Sequence, residues 1–237
     1  MVATNHKLRQ LGILSLDTQF PRILGDVGNP DSYPFPAMVK VVEGADATKI
    51  VVDGSPEEVL LQRFETAACE LEKQGAGAIV STCGFLITAQ ARIASKVEIP
   101  VMLSALSMLP SVLAMTGARV GVLTASQPAL GSLALACAQV KQDDIVVQGM
   151  ENDPIFTRAF LASRDQQTRE FDRGAMEKCV VSQAKTLIRN APDIGAIVLE
   201  CGNLPPYADA IRAATGKPVY HLLDAARLMM AAHQSTT

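Results

Sequence analysis

What this sequence has little of narrows it first. No apolar run approaches the roughly 20 residues that span a bilayer; the stretch Leu11 to Leu16 is broken by Gly12 and Ser15 and ends at Asp17. The N-terminus lacks the long apolar run of a secretory signal, so a cytoplasmic protein is expected. Charged residues make up only 19% of the chain, and the net charge is -3 with both signs interspersed. That excludes the electrostatic footprint of a nucleic-acid binder or of a protein held at an anionic membrane, and leaves a small-molecule substrate or a protein partner. Histidine is scarce, and His6, His221 and His233 share no metal-ligand spacing, which argues against a zinc site. The five cysteines are odd in number and include no CxxC pair, the pattern of free thiols in a reducing compartment.

What remains is globular: 237 residues at 49% hydrophobic content can bury a substantial core. Short β-branched apolar runs alternate with longer segments of helical period, the pattern of an α/β protein with parallel strands. Strands are expected near residues 11–16, 37–42, 77–81, 100–103, 119–124, 144–148, 194–199 and 217–220. Pro56 to Gln74 reads as a helix with Ser55 as N-cap, Pro56 at the first helical position, Glu57 and Glu58 in the first turn and Gly75 past the end. Further helices are expected near 87–96, 106–115, 127–139, 170–190, 205–214 and 221–233.

The chain repeats itself. Residues 77–84 read GAIVSTCG and residues 195–202 read GAIVLECG, an offset of 195 minus 77, or 118. The same offset relates Pro100-Val101 to Pro218-Val219, and Gly12-Ile13-Leu14-Ser15 loosely resembles Gly121-Val122-Leu123-Thr124. Two halves of similar plan follow, each with a cysteine at the carboxyl end of a strand, in the turn into a helix. In open parallel sheets that edge is where ligands bind. The expected halves are 1–117 plus 216–237, with Lys217 to His233 returning to the first half, and 118–215.

A lone cysteine is ordinarily a small buried hydrophobe, the reading given to Cys69, Cys137 and Cys179 inside expected helices. The repeat separates Cys83 and Cys201 from these. Two thiols at equivalent addresses would face each other across a cleft, where one can remove a proton from one face of a carbon while the other delivers a proton to the opposite face. Neither cysteine turn contains a histidine to activate a hydrolytic nucleophile. His221 reads as a capping or core residue. Asp17 to Pro36 holds four of the 13 prolines and two glycines, so it is a shaped loop, either a binding loop or an excursion packed by Phe20, Tyr33 and Phe35.

These motifs resemble the aspartate/glutamate racemase superfamily, which includes hydantoin racemases, arylmalonate decarboxylases and maleate isomerases. The likeness covers the opening strand with its Asp-containing loop, GAIVSTCG, VGVLTAS at 120–126 and GAIVLECGNLPPY at 195–207. It implies two Rossmann-like α/β halves with parallel sheets related by a pseudo-twofold axis, cofactor-independent chemistry in the cleft between them, and a homo-oligomer. By motif position Cys83 and Cys201 would be the acid/base thiols. Thr82, Gly84, Gly202 and Asn203 would be donors to a substrate carboxylate, and Thr124, Ala125 and Ser126 a turn holding an acidic group. Asp17 and Thr18 would be the polar pair after the first strand, with Ser15 the other candidate there.

The chain departs from the amino-acid racemases in following Cys83 with Gly84-Phe85 and Cys201 with Gly202-Asn203. Glu200 precedes the second cysteine, and strand alternation would point it away from the cleft. Phe85, Leu86, Leu204 and Pro205 hint at a substrate less polar than aspartate. The first expectation is a two-base racemase or epimerase of a small carboxylate or amino-acid-like compound. Behind it stand a one-cysteine lyase or isomerase and a non-catalytic small-molecule binding protein.

Overall fold

The computed structural model describes residues 9–233, which leaves His6 and the extreme N-terminus outside the described residues. Eight short strands form two parallel sheets. The first contains β1 (Gln10–Leu16), β2 (Ala37–Val42), β3 (Ala76–Ser81) and β4 (Val101–Met102), in the order β2-β1-β3-β4. The second contains β5 (Val120–Thr124), β6 (Ile145–Gly149), β7 (Ala196–Leu199) and β8 (Val219–Tyr220), in the order β6-β5-β7-β8. Strands β3, β5 and β7 are buried along their whole length, which is why they read as continuous apolar runs without alternation. The two orders match when the halves are overlaid by the sequence repeat.

The first half carries the helices α1 (Ala47–Ile50), α2 (Glu58–Lys73), α3 (Gln90–Ala94) and α4 (Leu109–Thr116). The second carries α5 (Ser132–Cys137), α6 (Pro154–Phe156), α7 (Arg173–Asn190) and α8 (Ala208–Thr215), and α9 (Leu222–Ala231) closes the described chain. Helix α2 shows why these segments dock: Leu60, Leu61, Phe64, Ala67, Ala68 and Leu71 fall at helical spacing and are buried against β1, β2 and β3. Its start differs from the expectation. Glu57, not Ser55, is the N-cap, and Leu60 and Leu61 donate to the Glu57 carbonyl. The far end is as read, with Gly75 at φ +98° past the last turn.

Other boundaries moved for local reasons. Residues 127–139 form only the short α5, and Cys137 at its end is exposed instead of buried. The segments after both cysteines begin as 3-10 turns, Gly84–Ala89 and Pro205–Tyr207, before α3 and α8. No helix was expected at Thr157–Leu161, a single π-helical turn. No described helix is long and apolar enough to cross a membrane.

The return of the chain end to the first half needs correction for the strand. β8 pairs with β7 through Ile197↔Val219 and Val198↔Tyr220, so it belongs to the second sheet, while α9 crosses over and packs on β3 and β4. The repeat explains this: Pro218-Val219 is the counterpart of Pro100-Val101, and β4 likewise completes its own sheet before α4 packs against β5 and β7. Crossing follows the strand in both halves.

Candidate active site

In each sheet the chain runs first to one side of the opening strand and then to the other. The order therefore reverses between β1 and β3 and between β5 and β7, the point where α/β sheets bind ligands. Cys83 lies just past β3 and Cys201 just past β7, so both thiols sit at reversal points. They line one narrow cleft, with Thr18, Thr82, Ala125, Glu200 and Asn203 among the other wall residues. Cys83 is 6% and Cys201 7% exposed.

The glycine after each cysteine lets the two copies of the repeat touch. A Cβ at Gly202 would fall 2.6 Å from the Thr82 carbonyl oxygen, and one at Gly84 would strike the Glu200 carbonyl and carboxylate. The contact is reciprocal under the 118-residue offset, since Thr82 and Glu200 are equivalent positions. Backbone cannot yield as a flexible side chain does. Gly202→Ala is therefore expected to lower stability by about 1–3 kcal/mol in urea unfolding.

The predicted polar residues divide sharply. Thr82 uses its hydroxyl to accept from the Leu16 amide at 3.0 Å, tying the ends of β1 and β3 together at the cleft floor. Thr18 lines the cleft, and its hydroxyl accepts from Arg22 at 3.2 Å. Asp17 is turned elsewhere: it accepts from Arg164 Nε at 2.7 Å and from the Gly44 amide at 3.1 Å, and it is not a wall residue. Ser15 is buried with its hydroxyl on the Leu16 carbonyl. Ser126 and Gly202 lie beside the cleft and outside its wall, the Gly202 carbonyl accepting from Val27 of the first loop.

The turn after β5 does hold an acidic group, and the group is the protein's own. Thr124 Oγ1 donates to Glu200 Oε2 at 2.9 Å, and the Ala125 amide donates to the same oxygen at 3.2 Å. Glu200 is thus directed toward the cleft and not away from it. Alternation assigns side chains to the two faces of a sheet, but this cleft lies off the sheet's end, where a side chain can reach over the edge. Glu200 is 2% exposed and its Oε1 has no hydrogen-bond partner. Burial pushes its pKa up to about 7, partly offset by the donors from Ala125 and Thr124.

That shift has a sign. A carboxyl whose folded pKa lies above its unfolded value binds more protons folded than unfolded, so it subtracts stability as pH rises from about 4.5 to 7. Glu200→Gln is therefore expected to be more stable than the parent at pH 8 by on the order of 3 kcal/mol. The gap should close by about pH 4.5, as read from urea midpoints at both pH values.

Sequence reasoning missed a second network. Arg22 donates to Asp26 Oδ1 at 3.1 Å and its guanidinium lies 4.7 Å from the Phe20 ring centroid. Asp26 is 2% exposed; it also accepts from the Gly28 amide at 2.7 Å and, through Oδ2, from Asn203 Nδ2 at 2.8 Å. Asn203 Oδ1 in turn accepts from Cys201 Sγ at 3.4 Å. An ion-paired carboxylate only accepts, so it fixes the Asn203 amide with its oxygen toward the thiol. Cys201 is thereby held as a proton donor. No short motif links residues 22, 26, 201 and 203, though the Pro/Gly-rich loop was the available signal. That loop is both packed and part of the site: Phe20 and Tyr33 are buried while Phe20 and Arg22 line the cleft.

Both thiols are pushed up, first by burial and then by Glu200. They are not equal. A backbone amide opposes the rise at each, Phe85 at Cys83 and Asn203 at Cys201; beyond that Arg22 lowers Cys83, whereas Cys83 and Asp26 add to the rise at Cys201. The cleft is closed by Phe20, Phe85, Phe160 and Leu161, the last two carried by the π-helical turn. His221 is the N-cap of α9, with Nδ1 3.2 Å from Asp224, and takes no part in the cleft wall.

Two parallel α/β sheets meeting at a cleft, with one thiol at each reversal point, define the racemase-type fold. The chain belongs to the Asp/Glu/Hydantoin racemase family, whose model matches residues 36–230. It is 32% identical over 225 residues to a dimethylsulfoniopropionate lyase of Durusdinium sp. clade D, covering 91% of this chain and 72% of that protein. It is 33% identical over 232 residues to dimethylsulfoniopropionate lyase 3 of Emiliania huxleyi (strain CCMP1516), covering 93% of this chain but 59% of that longer protein. Among solved structures, allantoin racemase from Klebsiella pneumoniae superposes with a TM-score of 0.62 at 15% identity, covering 96% of this chain and 90% of that one, a likeness of fold alone.

Proposed function

We propose that this protein is a lyase that removes the proton α to the carboxylate of a small β-substituted propionate and expels the β-substituent, with dimethylsulfoniopropionate as the reference substrate. The observation that carries the reading is the inequality of the two thiols. A racemase working in both directions needs two groups that exchange the roles of acid and base. Here the Asp26-Asn203 chain holds Cys201 as a hydrogen-bond donor, whereas no acceptor holds the Cys83 thiol among the described residues, and the rise that burial and Glu200 impose on it is opposed by the Phe85 amide and Arg22. One base suffices for elimination. The names of the lyase relatives support the same choice.

In this scheme the Cys83 thiolate takes the α-proton, the new carbon-carbon double bond forms, and the carbon-sulfur bond breaks with its electron pair left on sulfur. Neutral dimethyl sulfide and acrylate depart. Cys83, now a thiol, returns its proton to water. Cys201 remains a thiol throughout, its proton held on Asn203 Oδ1. Racemisation is the competing reading, favoured by the two thiols lining one cleft.

Headspace gas chromatography of the purified protein with dimethylsulfoniopropionate tests the proposal, alongside proton NMR in heavy water with amino acids and hydantoins. Release of dimethyl sulfide with acrylate is the expected result. No release from any β-substituted propionate, with α-deuteration of an amino acid or hydantoin lost in both cysteine variants, overturns it in favour of the racemase.

A further inference from the structure

We propose that Glu200, with the aromatic wall of Phe20, Phe85 and Phe160, forms a subsite for a methylated onium group, the cationic end of a zwitterionic substrate. The assignment of that group to the β-position rests on the elimination reading above; the subsite itself rests on the charges of the cleft. Four wall residues carry ionisable groups: Arg22, Cys83, Glu200 and Cys201. Arg22 is already paired with Asp26 behind it, whereas Glu200 is in no ion pair among the described residues. One carboxylate is therefore buried without a counter-charge, and one of its oxygens is without any donor.

An isolated buried carboxylate is costly, and proteins retain one where a partner arrives from outside. A ligand cation would supply what Glu200 lacks. The remaining walls bear on the kind of cation: Leu16, Val51, Phe85, Phe160 and Leu161 offer no acceptors from their side chains, and the wall oxygens of Thr18, Thr82 and Asn203 already accept from Arg22, the Leu16 amide and Cys201. A primary ammonium would exchange its hydration for one free carboxylate oxygen and a few wall oxygens that already accept other donors, leaving its N-H groups poorly paired. A methylated onium has no such donors, sheds water readily, and suits carboxylate and aromatic surroundings together.

The subsite also addresses the thiols. Glu200 raises both of them in the empty cleft. A positive charge beside Glu200 cancels that effect, so the ligand that carries the leaving group also eases formation of the thiolate that attacks it. Amino-acid substrates with a second carboxylate would instead meet repulsion from Glu200.

Calorimetry with unreactive analogues tests this without relying on turnover. The probes are 3-(trimethylammonio)propanoate, its uncharged isostere 4,4-dimethylpentanoate, and 3-aminopropanoate, titrated at pH 8 into the wild type, Glu200→Gln and Glu200→Asp. The wild type is expected to bind the trimethylammonio compound roughly 10-fold or more tightly than the isostere, and more tightly than 3-aminopropanoate. Glu200→Gln should lose that preference while still binding the isostere, and Glu200→Asp should keep part of it. Equal or undetectable binding of the isosteric pair by the wild type overturns the subsite, as does a preference that survives in Glu200→Gln or a preference for the primary amine. An intact onium preference with no dimethyl sulfide release would remove the lyase reading alone.

Discussion

Cys83→Ser is expected to lower kcat/KM for dimethyl sulfide release by about 10²–10⁴-fold, the usual contribution of a positioned base. Serine keeps the shape of the side chain but cannot form an anion at neutral pH. Cys201→Ser should lose only on the order of 10-fold, because a hydroxyl can still donate to Asn203 Oδ1 from the same place. The asymmetry is the informative part. Equal severe losses would restore two-sided proton transfer, and a reversed order would make Cys201 the base. Alkylation by iodoacetamide checks the assignment independently of turnover: in the ligand-free protein Cys83 should react faster than Cys201, and a bound onium analogue should protect both.

Asp26→Ala should destabilise the fold by about 3–5 kcal/mol, which lowers Tm by roughly 6–20 °C in a chain of this size. Asp26 joins four groups from two halves of the molecule: the Arg22 guanidinium, the Gly28 amide, the Asn203 amide and, through Asn203, the Cys201 thiol. Alanine leaves the Arg22 charge and the Asn203 donor unpaired in a buried setting. Asp26→Asn should fall well short of that loss, since one carboxamide oxygen can still accept. A loss below about 1 kcal/mol for Asp26→Ala in calorimetric unfolding would mean that water replaces the carboxylate, and that the chain to Cys201 is not held rigidly.

The central strands β1, β3, β5 and β7 were legible because burial on both faces writes a near-continuous apolar run, and the edge strand β2, with Val39 and Val41 exposed, was legible from its β-branched residues. All eight expected strands occur within two residues of their expected positions, since β-branched runs such as Ala78-Ile79-Val80 have no other stable use in a parallel sheet. Helix starts were less legible. The cap signal at Ser55 went unused, α2 starting after Glu57, and residues 127–139 form a helix only over Ser132–Cys137. Cys137 illustrates the cost of reading burial from an expected helix, because it sits at the exposed end of a short one.

Within the site, repetition identified the cysteines. The 118-residue offset placed both at strand ends, and the structure sets both in one cleft. The partners of those thiols were not readable in the same way. Glu200 was assigned to the wrong side because alternation describes faces and the cleft lies past an edge. Arg22, Asp26 and Asn203 come together from segments 177 residues apart between Asp26 and Asn203, with hydrogen bonds as the only signal. Phe160 and Leu161 reach the cleft on a π-helical turn that no periodicity announces.

Linear order was thus enough for the class of fold, the duplicated plan and the two cysteines of the cleft, because each depends on patterns written locally and repeated. The inequality of those sulfurs, the unpaired Glu200 carboxylate in the same cleft and the aromatic wall around them come from long-range packing. They arise where loops from both halves close over the sheet ends, and the chemistry of the cleft depends on which distant groups that closure brings within hydrogen-bond reach.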